Sequence, residues 1–337
     1  MGEQTDIKVT VIVPVYNAEK TIAECLHQLM KQTLRELEIL VVDDCSTDET
    51  ASIVRALAAQ SEGRIRMLRT GENSGAGGAR NLGMDEARGA YIGFVDGDDL
   101  VVPEMYEKLY AVAQEQQSDF VDSGYYNEEN DTAMLHTADA QTGTLDDEKR
   151  SALIVSGGYI VSKLFRRAFL TEQKMRFRKH AILEDSEFLT RIFATARSCA
   201  NIKEVFYQYR YYPDSASREQ EPGRYVTQLC NAMEANYLSV YKLPNYEGIR
   251  EAVEYAVIQM YDYGVIMSLK AFQDAHGTNR REVIDMLKRL RQLRKKTARS
   301  GYQNRYVQEK INPTDISIME RNDQSPDAAL ALLSSAK

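Results

Sequence analysis

The chain has 337 residues, 43% of them hydrophobic and 27% charged, with a net charge of −8 at pH 7. That length accommodates two domains or one large domain with an appendage, and the net acidity excludes a molecule built throughout to grip nucleic acid. Cys25, Cys45, Cys199 and Cys230 fall at no metal-ligand or disulfide-framework spacing. No run of ~18 apolar residues spans a bilayer, and the first eight residues lack the apolar core of a signal segment, so a reduced, cytoplasmic setting is expected.

Residues 9–15 form a short apolar, β-branched run that predicts a buried strand. An amphipathic helix is expected over 19–31, with Ile22, Leu26, Leu29 and Met30 on one face. Residues 37–42 predict a second strand, ending in Asp43 and Asp44, and Ser46 to Asp48 offer caps for a helix to Ala59. A third strand is expected over 64–68. A glycine-rich loop over 71–78 then leads into a helix ending near Arg88. Residues 90–95 predict a fourth strand, ending in Asp96, Gly97, Asp98 and Asp99. Pro103 suits the first turn of the next helix, and 119–122 a fifth strand.

Strands alternating with helices imply an α/β fold, a mostly parallel sheet with helices on both faces. Ligands of such sheets bind beyond the carboxyl ends of the strands, and the acidic pairs fall there. Further on, 127–148 is polar and reads as loop, 184–196 as a helix, 203–212 as a strand, and the chain from Tyr225 as all helical. The tail from Asn322 is expected to be partly without regular structure. The resulting division is 1–220 for the sheet domain, 221–322 for a helical domain and 323–337 for the tail.

Asp96, Asp98 and Asp99 at a strand end repel one another, and a hard divalent cation, Mg²⁺ or Mn²⁺, would relieve that repulsion and bridge a diphosphate. Alone, the tetrapeptide reads equally as a solvated acidic turn. Asp44 can accept hydrogen bonds from a base or a ribose, or cap a helix. The loop over 71–80 can cradle phosphate and Arg80 can contact a diphosphate, yet it matches neither a dinucleotide fingerprint nor a Walker loop. Glu184 and Asp185 open a helix, where one carboxylate can serve as general base or simply complement the helix dipole. Arg210 and Ser215 can close over phosphates, or lie on a strand running into a turn.

Taken together and in order, these segments resemble the family 2 glycosyltransferases of GT-A fold. The resemblance runs from about Lys8 to Ser217 on the stretches Val9 to Asn17, Cys25 to Thr33, Glu38 to Asp48, Gly77 to Gly83, Gly89 to Asp99, Ser162 to Arg166, and Glu184, Asp185 and Phe188. It implies a bacterial polysaccharide-type enzyme that moves a sugar, with inversion, from a nucleoside diphosphate donor, UDP above all, to a glycan or lipid-linked hydroxyl. It implies that Pro14, Val15, Tyr16, Asn17 and Asp44 hold the nucleoside, and that Asp96 lies near ribose and diphosphate. Asp98 would ligate Mn²⁺ or Mg²⁺. Asp185 would act as base with Glu184 in support, and Arg80, Arg210 and Ser215 would contact the diphosphate. Cys45 departs from the family's usual Gly or Asn, and no histidine lies between Arg210 and Ser217, where some relatives place a metal ligand.

A nucleotidyltransferase would carry a Gly-rich, Arg-containing loop directly after the first strand, where this chain has Pro14 to Asn17. The alternative from another class is a catalytically silent nucleotide-sugar-binding or scaffold protein on the same fold. Residues 279–310 carry eleven Lys and Arg against three acids, with an apolar stripe of Val283, Met286, Leu287, Leu290 and Leu293. This reads either as a docked helix with a solvated basic face or as a peripheral contact with the inner face of an anionic membrane. The absence of aromatic interleaving argues against nucleic acid. A homodimer is a further expectation.

Overall fold

The structure is a computed structural model that describes residues 7–212, 221–273 and 279–334. The first part alternates as the sequence predicts: β1 (Val9–Val15), α1 (Ile22–Met30), β2 (Leu37–Asp43), α2 (Thr50–Gln60), β3 (Ile65–Arg69), α3 (Gly75–Glu86) and β4 (Tyr91–Phe94). Next come β5 (Leu100–Val101), α4 (Met105–Glu115), β6 (Phe120–Asn127), β7 (Thr132–Met134), β8 (Gly143–Thr144) and α5 (Asp147–Ser156). Then follow β9 (Lys163–Arg166), α6 (Arg167–Glu172), α7 (Glu184–Thr195) and β10 (Ser198–Tyr209).

All strands join one sheet with the order β3-β2-β1-β4-β9-β6-β10-β5, to which β7 adds beside β6 and β8 beside β10. Every residue of β1 and β2 is buried, which is why both read as apolar runs rather than as alternation, interrupted inside only by Thr10 and Glu38, whose side chains bond to each other at 2.7 Å. β1 lies parallel to both neighbours, with Val15 beside Asp43 and Ile12 beside Phe94. That register delivers the turn after β1, the acids after β2 and the acids after β4 to one edge of the sheet.

The 127–148 stretch expected as loop contains β7, β8 and the start of α5. β9 enters antiparallel between β4 and β6, so the sheet is mixed at this point. β5 escapes sequence reading because it has two residues, too few for any period to register. Register shifts between Ile202 and Val205 and between Val205 and Tyr207 bulge β10 before it pairs Tyr207 with Val101 of β5. Above the sheet, the rings of Phe94, Phe165, Phe177 and Phe188 form a buried cluster; Phe177 and Phe188 stack at 3.9 Å and 7°.

The chain divides into two compact units. The first comprises residues 1–149, 156–189 and 195–212; the second comprises 150–155, 190–194 and 213–337. The sequence reading places consecutive parts at 1–220, 221–322 and 323–337, whereas these units interleave along the chain. The second contains α8 (Pro222–Val240), α9 (Tyr246–Gln273), α10 (Arg280–Thr297), α11 (Arg305–Lys310), α12 (Pro313–Gln324) and α13 (Pro326–Ser334). Within the tail expected to be partly irregular, α13 runs from Pro326 to Ser334 and buries Ala329 and Leu330.

Asn279 and Glu282 form a capping box that starts α10. Val283, Met286, Leu287 and Leu290 are buried along it. Much of its basic face is occupied by internal partners. Arg280 pairs with Asp327 at 2.6 Å, Lys296 with Glu234 at 2.7 Å, and the buried Arg294 with Asp323. Arg291 donates to the carbonyl oxygens of Asp323 and Gln324. Among the described residues, no helix is long and apolar enough to cross a membrane.

Candidate active site

The turn after β1 is tied to the end of β2. Asn17 takes a left-handed backbone, φ 49°, a conformation that asparagine tolerates better than most residues. Its N–H donates to Ser46 Oγ at 3.0 Å and its Oδ1 accepts from the Thr47 N–H at 2.9 Å. Pro14 and Val15 lie in β1, and Tyr16 beside them is half exposed at the sheet edge, an aromatic face open to a planar ligand.

Asp44 is buried, and its carboxylate accepts from the N–H groups of Ser74 at 3.0 Å and Gly75 at 2.7 Å and from the Thr70 hydroxyl at 2.8 Å. Its oxygens therefore fasten the start of α3 to the end of β2. Gly75, Gly77 and Gly78 belong to α3 itself rather than to a preceding loop. A Cβ at Gly77 would collide with the Arg178 carbonyl oxygen, so the helix tolerates only glycine where the later chain crosses it.

Arg80, on α3 and almost fully buried, joins the strand-end acids to α7. Its Nη2 donates to Asp96 Oδ1 at 2.8 Å and its Nη1 to Glu184 Oε1 at 2.6 Å, while the guanidinium lies 5.5 Å from the centre of the Phe177 ring. Burial alone would lower its pKa, but the charges of Asp96, Glu184 and Asp185 hold it above the ordinary range. Asp185, next on α7, is pushed up to about 6 by burial and by Glu184, with Arg80 opposing. A carboxyl poised there is anionic at neutral pH and more basic than an exposed one, the property a general base needs.

Asp98 is likewise pushed up to about 6, by burial and then by the charge of Asp96. Asp99 rises to about 8, from burial and from both neighbouring aspartates. Their surroundings differ. Asp99 accepts from the Tyr207 hydroxyl at 2.6 Å and from the Arg210 N–H at 2.8 Å, and Tyr207 also accepts from the Asp96 N–H at 3.2 Å. Asp99 thus locks the acidic turn to β10. Asp98 has no ion-pair partner among the described residues. Those residues contain no converging set of three His, Cys, Asp or Glu side chains. Asp98 would be the carboxylate this turn offers to a hard divalent cation such as Mg²⁺ or Mn²⁺.

Arg80, Asp96, Glu184 and Asp185 are brought together, as are Asn17 and the Asp44 region. The Arg210 guanidinium turns elsewhere, to Glu24 at 2.7 Å and Glu128 at 3.8 Å, and Ser215 lies outside the described residues. Sequence reasoning missed Tyr207. It stands in a run of four tyrosines between 207 and 212, and nothing in their spacing marks the one that faces the acids.

The family model described as Glycosyl transferase family 2 matches residues 10–185. EpsJ of Bacillus subtilis (strain 168), described as an uncharacterized glycosyltransferase, is 34% identical over 218 residues, 61% of this chain and 62% of its own. The chain thus spans less than two thirds of that relative's length. The structure of residues 1–349 of S. aureus TarS in complex with UDP-GlcNAc superposes with a TM-score of 0.70 at 22% identity, covering 94% of this chain and 91% of that one. The mannosyltransferase PcManGT from Pyrobaculum calidifontis, solved with GDP-Man and Mn²⁺, gives a TM-score of 0.57 at 18% identity, covering 96% and 86%. At such identities the structural matches establish the fold, GT-A, alone.

Proposed function

The chain belongs to glycosyl transferase family 2, and from that premise we propose that it moves a sugar from a nucleoside diphosphate donor to a hydroxyl of a glycan or lipid-linked acceptor in polysaccharide synthesis, inverting the anomeric centre. The observation that carries this reading is the contact of Arg80 with both Asp96 and Glu184, which sets the raised carboxyl of Asp185 beside the acids at the sheet edge. UDP is favoured as the leaving group because the TarS neighbour binds UDP-GlcNAc.

Asp185 takes the proton of the acceptor hydroxyl as that oxygen attacks the anomeric carbon from the face opposite the diphosphate. Arg80 fixes Glu184, so that the base's neighbour carries a compensated charge when the proton arrives. Asp44 and Asn17 keep the nucleoside edge of the site rigid, and Tyr16 offers a ring to the base. Asp98 would hold the divalent cation, whose positive charge favours departure of the nucleoside diphosphate. One in-line displacement leaves no role for a covalent nucleophile.

The test is a thermal-shift and hydrolysis screen of nucleotide sugars with and without Mn²⁺. A donor that raises the melting point and is hydrolysed only with metal supports the reading, because a ligand that binds the native state stabilises it. Binding without turnover would instead favour a silent nucleotide-sugar-binding protein on this fold.

A further inference from the structure

Between α6 and α7 a short stretch of chain lies along the first turns of α3. Asn81, buried on α3, spends both ends of its amide on one residue: Oδ1 accepts from the Phe177 N–H at 2.9 Å and Nδ2 donates to the Phe177 carbonyl oxygen at 2.9 Å. The pair fixes the orientation of the amide, since a flipped group would set donor against donor. Farther along, the His180 N–H donates to the Ser74 carbonyl oxygen at 2.7 Å, and Gly77 leaves room for the Arg178 carbonyl against the helix backbone. Phe177 then lays its ring on Phe188, buried on α7 three residues beyond Asp185, with centroids 3.9 Å apart and planes 7° from parallel.

We infer that Asn81 is a positioning residue for Asp185: by gripping the backbone of Phe177 it fixes the ring on which the first turns of α7 are seated. The inference rests on the reading of Asp185 as base. Arg80 holds Glu184 by charge, and Arg178, on the same stretch as Phe177, pairs with Glu187 one turn along α7. The Phe177–Phe188 stack adds an apolar point of support beside these two ion pairs, and Asn81 anchors the stretch that carries both Phe177 and Arg178 to α3. Arg80 and Asn81 are consecutive, so one helix turn carries both the grip on Glu184 and the anchor of the stack.

The test compares wild type with Asn81→Leu, Asn81→Asp and Phe177→Leu. The readouts are hydrolysis of UDP-N-acetylglucosamine and UDP-glucose, UDP binding by calorimetry, and hydrogen exchange of residues 181–189. Asn81→Leu is expected to lower kcat about tenfold, the scale of a modest misplacement of a reacting group, with donor KM and UDP affinity within about threefold of wild type. Exchange in 181–189 should rise while that of β1 and β2 holds. Asn81→Asp keeps the side chain's size and the bond from the Phe177 N–H, and should fall between wild type and Asn81→Leu. Phe177→Leu keeps the backbone clasp but removes the stack, and should reproduce the loss of kcat. A folded Asn81→Leu or Asn81→Asp protein with wild-type kcat and unchanged exchange overturns the inference. If wild type turns over neither sugar, the functional reading fails for these donors, while the exchange data still decide whether Asn81 holds α7.

Discussion

At the scale of single residues the site depends on how carboxylates are kept apart in role. Asp99 is engaged by Tyr207 and by the Arg210 N–H, Asp96 and Glu184 share Arg80, and Asp98 and Asp185 are the carboxyls to which the proposed mechanism assigns the cation and the proton. Asp185→Asn is expected to cut sugar transfer by ~10²-fold or more, the scale of a lost general base, with donor affinity retained in calorimetry. Because the proposed base at Asp185 works as an anion, kcat should rise with pH through about 6 in wild type, and that limb should vanish in the Asn variant. Arg80→Lys should weaken donor binding and lower stability by about 1–3 kcal/mol in chemical denaturation, since an ammonium cannot serve both the buried Glu184 and the part-exposed Asp96 in a planar fork. A variant as stable as wild type would remove Arg80 from that role. The acidic residues were legible in the sequence because carboxylates at strand ends are rare and grouped. The way Asp44 is used was not: its hydrogen bonds go to Thr70, Ser74 and Gly75, about thirty residues away, and no local spacing encodes such contacts.

At the scale of elements, β1, β2 and β4 were readable because each is buried on both faces, so its sequence is mostly apolar. β5, β7 and β8 have two or three residues and take their strand character from partners distant in sequence. Within β4, Gly93 is required by α4: a Cβ there would run into the ring of Tyr106. Gly93→Ala is therefore expected to cost about 1–3 kcal/mol by overpacking, measured as a lowered denaturation midpoint. In α10 the basic residues separate by burial. Removing the exposed Lys296 should change stability by less than about 1 kcal/mol, as for most surface pairs. Arg294→Ala should cost about 3 kcal/mol, since it leaves Asp323 buried without its cation. Equal effects of the two substitutions would show that burial does not set the strength of these pairs.

At the scale of the whole molecule the raised carboxyls make a net statement about pH. Asp98 and Asp185 sit at about 6, Glu187 at about 7 and Asp99 at about 8, all above their unfolded values. These four groups therefore hold more protons in the folded chain than in the unfolded chain between roughly pH 4 and 8, and the stability they contribute falls as pH rises through that window. Without divalent cation the melting temperature is expected to be higher at pH 6 than at pH 8. Mn²⁺ at pH 8 should recover part of the difference, because a cation offsets the repulsion that deprotonation creates. A melting temperature that climbs steadily from pH 6 to pH 8 without metal would contradict this.

The interleaving of the two units has a consequence for anyone who wishes to cut the molecule down. Residues 150–155 and 190–194 belong with the helices that follow residue 212, and they carry the buried side chains of Leu153, Ile154, Ile192 and Phe193. A gene shortened to end at Tyr212 would keep every strand and still present those four to water, inviting aggregation. The catalytic half cannot be freed with one pair of scissors.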